Sequence, residues 1–363
     1  MQTPHGNRVS SKIPLEASGL REVQIEVTAK CNADCSFCIN RSSWAADGRH
    51  TNGLPTATLR RVIDWIADAG VRRIRFSGGE PLLRKDLPVL LAHAKARGIT
   101  TVVNTNGFLV DRYIDEMYEL ADVVLISVIS TRAEITDEVM VAKGSHAKKL
   151  VALDLLEDHP NVWTSTVISR GSIEEFEALY QFMKAHHVNY WLLLRGESNG
   201  SLDQHHYDVQ HGELVEIIEK IRRLEGEHGE LIGIGNAVPV CTYDAPFLTR
   251  VLGRADGAFA SEGRSKLSIT PYGKVLPSYG IDHPIGDIFD DLEDLWQHAF
   301  AAWIRSTDAM PAACRACDYL SVCHGGSRIA AMDAYGAWDA PDPLMRPLPQ
   351  VPQRRLKVVG SSR

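Results

Sequence analysis

The chain has 363 residues, of which 44% are apolar and 23% are charged, and its formal net charge is −7. This composition is typical of a globular protein with room for one large domain and a smaller one, and it lacks the basic face that nucleic-acid binding requires. No apolar stretch approaches the roughly 20 residues that span a bilayer, and residues 1–20 lack the apolar core of a secretory signal. We therefore expect a cytoplasmic protein that has neither a nucleic acid nor a membrane as its partner.

Between residues 21 and 212, short β-branched runs alternate with amphipathic helical stretches, which predicts parallel βαβ units. The predicted strands are 23–27, 73–76, 100–104, 123–128, 162–167 and 190–194. Helices are predicted near 59–69, 87–96, 173–186 and 213–227. Six units predict an α/β fold built as a partial (β/α)6 TIM-type barrel, with ligands bound at the carboxyl ends of the strands.

The remaining segments are assigned by composition. Residues 1–20 are predicted to be a flexible N-terminus, and the polar stretch 196–212, with its histidines, a solvated loop. From residue 213 to 340 we expect a smaller C-terminal domain with strands at 267–270 and 274–276 and a helix near 292–304. Residues 341–363 are rich in proline and are predicted to form a mobile tail.

The seven cysteines are clustered, with three in residues 31–38, three in 314–323 and Cys241 alone. A disulfide framework is typical of short secreted chains and usually uses an even number of cysteines. An odd number in two tight groups predicts metal or cluster ligation instead.

The first group, Cys31, Cys35 and Cys38, lies on the loop that follows the first predicted strand. Three thiolates on one loop can hold three irons of a cubane cluster and leave the fourth iron open to a small molecule. A structural zinc site needs four ligands, so this loop alone could also be half of a zinc site.

Further polar motifs follow the next strands. Gly78-Gly79-Glu80-Pro81 comes after the second strand, Asn104–Gly107 after the third, and Ser127 lies on the fourth. Adjacent glycines allow the backbone to approach a ligand closely. Because the carboxyl ends of parallel strands meet at one edge of the sheet, these motifs are expected to share a ligand site.

The spacing Cys31-x3-Cys35-x2-Cys38, followed by these two motifs in this order, resembles the radical S-adenosylmethionine (SAM) superfamily over residues 20–195. The resemblance implies a [4Fe–4S] cluster whose open iron is chelated by SAM. It also implies cofactor-binding roles for Phe37 beside adenine, Gly78, Gly79 and Glu80 at the amino group, Asn106 in the third-strand turn, Ser127 at the ribose and Arg195 at the carboxylate. Taken alone, Arg195 could equally be a solvated surface charge.

That family cleaves SAM reductively to a 5′-deoxyadenosyl radical, which abstracts a hydrogen from the substrate. The resemblance therefore also implies a reducing partner such as flavodoxin or ferredoxin. No general base can be singled out from the sequence. Trp163 and Trp191 lie on predicted strands and are interpreted as core residues.

The second group, Cys314-x2-Cys317-x5-Cys323, resembles the SPASM/twitch extensions that carry auxiliary [4Fe–4S] clusters in that superfamily. The pattern is reduced, since Ser278, Ser327 and the region of Ser261 occupy cysteine positions, and no cysteine lies near Asp342. One auxiliary cluster is possible, with Cys241 as fourth ligand or with an open position. The alternatives are zinc bound with His324, or no metal.

Two substrate classes are implied by this resemblance: a ribosomal peptide, or a sugar or aminocyclitol intermediate of natural-product biosynthesis, either of them oxidised, epimerised or rearranged. The first strand begins near residue 22, which leaves no room for an N-terminal peptide-recognition domain and weakens the peptide hypothesis. The rival from another class is a non-catalytic zinc- or Fe–S-binding module.

Overall fold

The computed structural model describes residues 19–39, 52–196, 207, 209–236, 238–253 and 263–345. The predictions made for His205, His206, Ser261, residues 1–18 and residues 346–363 lie outside these ranges. Within them, no helix is both long enough and apolar enough to cross a bilayer.

One mixed sheet of ten strands organises the described part of the chain, in the order β10-β9-β8-β1-β2-β3-β4-β5-β6-β7. The strands are β1 Glu22–Glu26, β2 Arg73–Ser77, β3 Thr100–Thr105, β4 Val123–Ser127, β5 Val162–Val167, β6 Tyr190–Leu194, β7 Ile232–Ile234, β8 Lys266–Ile269, β9 Lys274–Leu276 and β10 Gly286–Asp287. Neighbours from β8 through β1 to β7 pair in parallel, whereas β9 and β10 are antiparallel. The outer strands of this sheet are β7 and β10, so the sheet does not close among the described residues. The predicted partial α/β barrel is confirmed.

The first strand shows why the sheet forms. Val23 and Ile25 are almost fully buried, and Glu22 and Gln24 line an internal cavity. Because side chains alternate between the two faces of a strand, the apolar pair packs under the helices while the polar pair faces the barrel interior. A strand with this alternation is expected where one face is the core and the other is a site.

Thirteen helices accompany the sheet in the described part of the chain. They are α1 Thr56–Asp68, α2 Leu87–Ala96, α3 Ile114–Leu120, α4 Ala133–Met140, α5 Ser145–Leu155, α6 Arg170–Glu174, α7 Phe176–Ala185, α8 His211–His228, α9 Ala245–Gly253, α10 Leu292–Trp296, α11 Ala299–Arg305, α12 Leu320–Cys323 and α13 Arg328–Tyr335. In α1 the buried residues Leu59, Val62, Ile63 and Ile66 recur at helical spacing and join the main core. Burial of each such side chain contributes about 1.5–3 kcal/mol.

Two predicted helices are each divided in the structure. The predicted helix 173–186 is α6 followed by α7, and the helix near 292–304 is α10 followed by α11. The second break has a local cause, because the His298 side chain accepts a hydrogen bond from the backbone of Phe300 and so starts a new helix. His211, predicted in the polar loop, instead begins α8.

Segments from the predicted C-terminal domain enter the same sheet as the barrel strands. β7 pairs in parallel with β6, and β8 pairs in parallel with β1. The parallel row therefore has eight strands among the described residues, two more than the sequence predicted. The domain limits 20/21, 212/213 and 340/341 stay predictions.

Candidate functional site

A cavity of about 860 Å³ lies inside the partial barrel, and residues that follow the carboxyl ends of several strands contribute to its lining. Nine residues predicted to bind a cluster or cofactor line it: Cys31, Cys35, Cys38, Phe37, Gly78, Gly79, Asn106, Ser127 and Arg195. The structure thus brings together side chains from five separate segments of the chain. Glu80 does not contribute to this lining.

The glycine pair packs directly against the cysteine loop. The Gly79 N–H donates to the carbonyl of Thr28 at 2.8 Å, and the Glu80 N–H donates to the carbonyl of Lys30 at 2.7 Å. A Cβ atom at Gly79 would lie 2.0 Å from the Lys30 oxygen, and one at Gly78, whose φ is +132°, would lie 2.3 Å from the Thr28 oxygen. Only glycine fits at either position, and the contact fixes where the cysteine loop begins.

Glu80 is fully buried behind the cavity wall. Its carboxylate accepts hydrogen bonds from the Thr105 hydroxyl at 2.7 Å, the Asn106 N–H at 2.8 Å and the Leu82 N–H at 3.0 Å. Burial raises its pKa, although these three donors oppose the shift. Glu80 therefore holds the third-strand turn in place. The contact with a cofactor amino group that the resemblance implies for it stays a prediction.

Lys149 is a site residue that the sequence analysis missed. Its buried ammonium donates to the carbonyls of Asn106 at 2.8 Å and Ser127 at 2.5 Å, and so joins the ends of β3 and β4. Burial lowers the pKa of Lys149 to about 8, while the nearby Cys35 and Glu80 oppose that shift. A lysine on an amphipathic helix gives no sequence signal that distinguishes it from a surface lysine.

The cysteine loop is tied to the end of α4. The Asp34 N–H donates to the Met140 carbonyl at 3.1 Å, and the Ser36 N–H donates to the Val139 carbonyl at 3.0 Å. Phe37, which lines the cavity, meets the ring of Tyr207 edge-on at a centroid distance of 6.1 Å. These contacts hold the loop over the mouth of the barrel.

The three thiols of the loop influence one another through their charges. Burial raises the pKa of Cys31 to about 11 and that of Cys35 to about 12, and each thiol also senses the charge of Cys38. Over the described residues, no three His, Cys, Asp or Glu side chains are arranged to hold one metal ion. Soft thiolate ligands suit both iron–sulfur clusters and zinc.

Arg195 lines the cavity, and an ion pair with Asp342 fixes its guanidinium. Its guanidinium donates to the Asp342 carboxylate at 2.7 Å, and this pair is buried. The same carboxylate accepts from the Ser327 N–H at 2.6 Å and the Leu344 N–H at 2.8 Å. Arg195 is therefore not a solvated surface charge, and it joins the end of β6 to the C-terminal segment.

The second group of cysteines converges on one place. Burial raises the pKa of Cys314 to about 11, with Cys323, Cys241 and Cys317 adding to the shift through their charges. The Val240 N–H lies 3.5 Å from the Cys323 sulfur, which brings the neighbouring Cys241 to the same place. Four thiols are thus available for one cluster. Of the two serines at expected cysteine positions, Ser278 lines the cavity and Ser327 caps α13.

Aromatic and apolar side chains form the middle of the cavity wall. Trp163 and Tyr190 lie at a centroid distance of 5.1 Å, next to Leu192, and all three line the cavity. The interpretation of Trp163 as a core residue is therefore wrong, because β5 turns it inward. Trp191 points the other way and is fully buried, as predicted.

Charged residues line the cavity at the opposite end from the cysteine loop. Glu22 accepts from Arg75 at 2.8 Å and lies 3.4 Å from the Lys266 ammonium. Burial alone would raise the pKa of Glu22, but Arg75 and Lys266 outweigh it and hold that pKa well below its ordinary value. Strand residues of this kind gave no site signal in the sequence, since their partners are far apart along the chain.

Comparisons with known proteins agree with this geometry. Residues 25–183 match the sequence profile of the radical SAM superfamily. PqqA peptide cyclase of Granulibacter bethesdensis is 29% identical over 333 residues, which cover 88% of this chain and 85% of that protein. Fe-coproporphyrin III synthase of Methanosarcina barkeri is 25% identical over 348 residues, which cover 87% and 85%.

The fold is also found in a solved structure. Streptococcus suis SuiB bound to its precursor peptide SuiA superposes with a TM-score of 0.71 at 18% identity, over 90% of this chain and 75% of SuiB. The motifs, the cavity they line and these similarities agree. Residues 25–183 are therefore a radical SAM domain, and over most of its length the chain is similar to the enzymes named above.

Proposed function

We propose that this enzyme binds a [4Fe–4S] cluster on Cys31, Cys35 and Cys38, cleaves SAM reductively and modifies a peptide substrate by hydrogen abstraction. A radical SAM domain implies the cluster and SAM. The observation that carries the assignment of residues is that all three thiols face one cavity together with the glycine pair. When bound, the cluster supplies the electron that breaks a carbon–sulfur bond of SAM.

The chain's own residues position SAM and keep water out. Phe37 and Ser127 offer a ring and a hydroxyl at the cavity mouth, and Asn106 sits on the turn that Glu80 fixes. Arg195 offers a cationic group for the SAM carboxylate, and its orientation is set by Asp342. Trp163 and its apolar neighbours lie between the cofactor end of the cavity and the charged end that contains Glu22, Arg75 and Lys266. This apolar layer limits the access of water and stray hydrogen donors to the cofactor end.

A peptide substrate is supported by the relatives. PqqA peptide cyclase is named for a peptide, and SuiB binds a precursor peptide. Fe-coproporphyrin III synthase is named for a tetrapyrrole, so a carboxylated small molecule is the second candidate class. The sugar or aminocyclitol hypothesis from the sequence has no support among these proteins.

Cys241, Cys314, Cys317 and Cys323 are proposed to hold one auxiliary cluster. The spacing Cys314-x2-Cys317-x5-Cys323 and the approach of Cys323 to the Val240 backbone beside Cys241 support this proposal. A cluster with four protein ligands has no open iron, so it would accept or pass an electron rather than bind substrate. A flavodoxin or ferredoxin is the expected electron donor.

Anaerobic reconstitution tests the proposal. We expect a brown protein that contains about eight irons and eight sulfides per chain, the sum of two cubanes. With SAM and dithionite it should form 5′-deoxyadenosine and methionine, measured by liquid chromatography. A colourless zinc protein that leaves SAM intact would contradict the proposal and support the non-catalytic module instead.

A further inference from the structure

The floor of the cavity is the end opposite the cysteine loop, and its charged side chains are Glu22, Arg75 and Lys266. Two of these three side chains are basic. The single carboxylate of Glu22 contacts both Arg75, at 2.8 Å, and Lys266, at 3.4 Å, and all three residues line the cavity. Arg73 approaches the same carboxylate to 4.0 Å. One carboxylate is therefore shared by at least two basic side chains among the described residues.

Gln24 lies beside this cluster and faces the same cavity. It is opposite Arg75 in the β1–β2 register and opposite Ser268 in the β1–β8 register. Only 7% of Gln24 is exposed, and within the described residues its amide nitrogen has no hydrogen-bond partner. A buried donor without a partner is costly, so this amide is placed to bind a ligand group.

The floor is separated from the cysteine loop by the length of the strands. Glu22 and Lys266 begin β1 and β8, whereas the cysteine loop follows the end of β1. Five residues of strand span about 13 Å between these ends. A group bound on the floor would therefore hold a molecule that reaches up past the aromatic wall towards the cofactor end.

We infer that Arg75, Lys266 and Gln24 bind a carboxylate of the substrate and so fix which of its carbons faces the cofactor. A carboxylate matches a floor where two basic side chains share one carboxylate, and it accepts hydrogen bonds from ammonium, guanidinium and amide donors alike. This inference rests on the proposed function, and it deepens it by assigning an acidic side chain or a free carboxyl group to the substrate.

Calorimetric titration of the reconstituted, SAM-loaded enzyme tests the inference. The probes are glutarate and its uncharged isostere glutaramide. We expect glutarate to bind at least about tenfold more tightly, because only its carboxylates are attracted to the floor. Lys266→Met should weaken glutarate binding at least about tenfold, since it removes one charge-assisted contact. We expect this variant to fold, because Glu22 still forms its hydrogen bond with Arg75.

Lys274→Met is the matched control. Lys274 lies on β9, is half exposed and pairs with Asp287, and it does not line the cavity. Glutarate binding by this variant should equal that of the wild type. Equal loss in both lysine variants would overturn the inference by showing a non-specific charge effect.

Gln24→Leu separates ligand binding from a structural role. Removing an unpartnered buried amide should leave the Tm of the ligand-free protein unchanged or higher, while glutarate binding weakens several-fold. A lower Tm with unchanged affinity, or equal binding of glutarate and glutaramide by the wild type, overturns the inference. These measurements need no turnover, so their failure leaves the proposed function to its own test of 5′-deoxyadenosine formation.

Discussion

The two groups of cysteines are built in different ways. Cys31, Cys35 and Cys38 come from one loop, whose backbone is bonded to the glycine pair on one side and to the end of α4 on the other. The second group comes from separate segments, with Cys241 in a 3-10 turn at Val240–Thr242 and Cys323 at the end of α12. The first site is one local motif, whereas the second depends on tertiary packing.

Their surroundings differ as well. The first three thiols line the barrel cavity, and none of the second four is among the described residues that line it. An open set of three can share its cluster with a ligand, while a closed set of four cannot. We therefore expect the first group to decide whether SAM is cleaved, and the second to affect the conversion of the substrate radical to product.

The largest expected difference concerns SAM cleavage. Cys38→Ala should lower 5′-deoxyadenosine formation from SAM and dithionite at least about 1000-fold, because the cofactor performs the difficult step. Cys314→Ala should retain that activity to within about tenfold, since it removes a ligand of a separate cluster. Comparable losses in the two variants would show that the groups do not act separately.

A stability measurement tests the anchoring of the first loop. Gly79→Ala should lower the free energy of unfolding by about 1–3 kcal/mol, because the new methyl group would overlap the Lys30 carbonyl. Urea unfolding of the metal-free protein, followed by circular dichroism, measures this change. Gly226→Ala is the control, since it lies within α8 with no atom within 4 Å of its Cβ position and should stabilise by up to about 1 kcal/mol. An unchanged free energy of unfolding in Gly79→Ala would contradict the close contact between Gly79 and the Lys30 carbonyl.

The smallest effect concerns thiol reactivity in the metal-free protein. Only the thiolate reacts with iodoacetamide, and burial raises the pKa of Cys35 to about 12 and that of Cys314 to about 11. Below each pKa the thiolate fraction rises about tenfold per pH unit. Labelling of Cys314 and Cys35 in the folded protein, followed by mass spectrometry, should therefore level off well above the ordinary cysteine pKa. In urea, labelling of both thiols should level off near the ordinary cysteine pKa. If labelling of the folded protein levelled off at that same pH, the burial of these thiols would be contradicted.

Much of the barrel could be predicted because its strands are local patterns. The predicted bounds 162–167 and 190–194 match β5 and β6. The predictions for β2, β3 and β4 differ by one residue at one end, and the prediction for β1 is shifted by one residue. The short β7, with Gly233 at its centre, carries no such pattern and was missed. Its position next to β6 comes from long-range pairing, which periodicity does not report.

The same distinction explains the site. The residues of the cysteine loop and glycine pair were predicted because motif and strand end coincide in the sequence. Lys149 and Trp163 were missed because their contacts depend on where α5 and β5 place them. The contribution of Glu80 to the third-strand turn could not be predicted for a similar reason, since two of its three donors come from β3 and the turn after it.

The pairing of β8 with β1 makes the barrel inseparable from the later part of the chain. β1 lies between β2 and β8, and Glu22 at its start contacts Lys266 at the start of β8. A fragment limited to residues 19–183 would leave β1 as a bare edge with unpaired backbone groups and would lose Lys266. Experiments on the barrel therefore need a chain that extends at least through β8. The first strand of the barrel finds its second neighbour only in a segment that is synthesised more than 200 residues later.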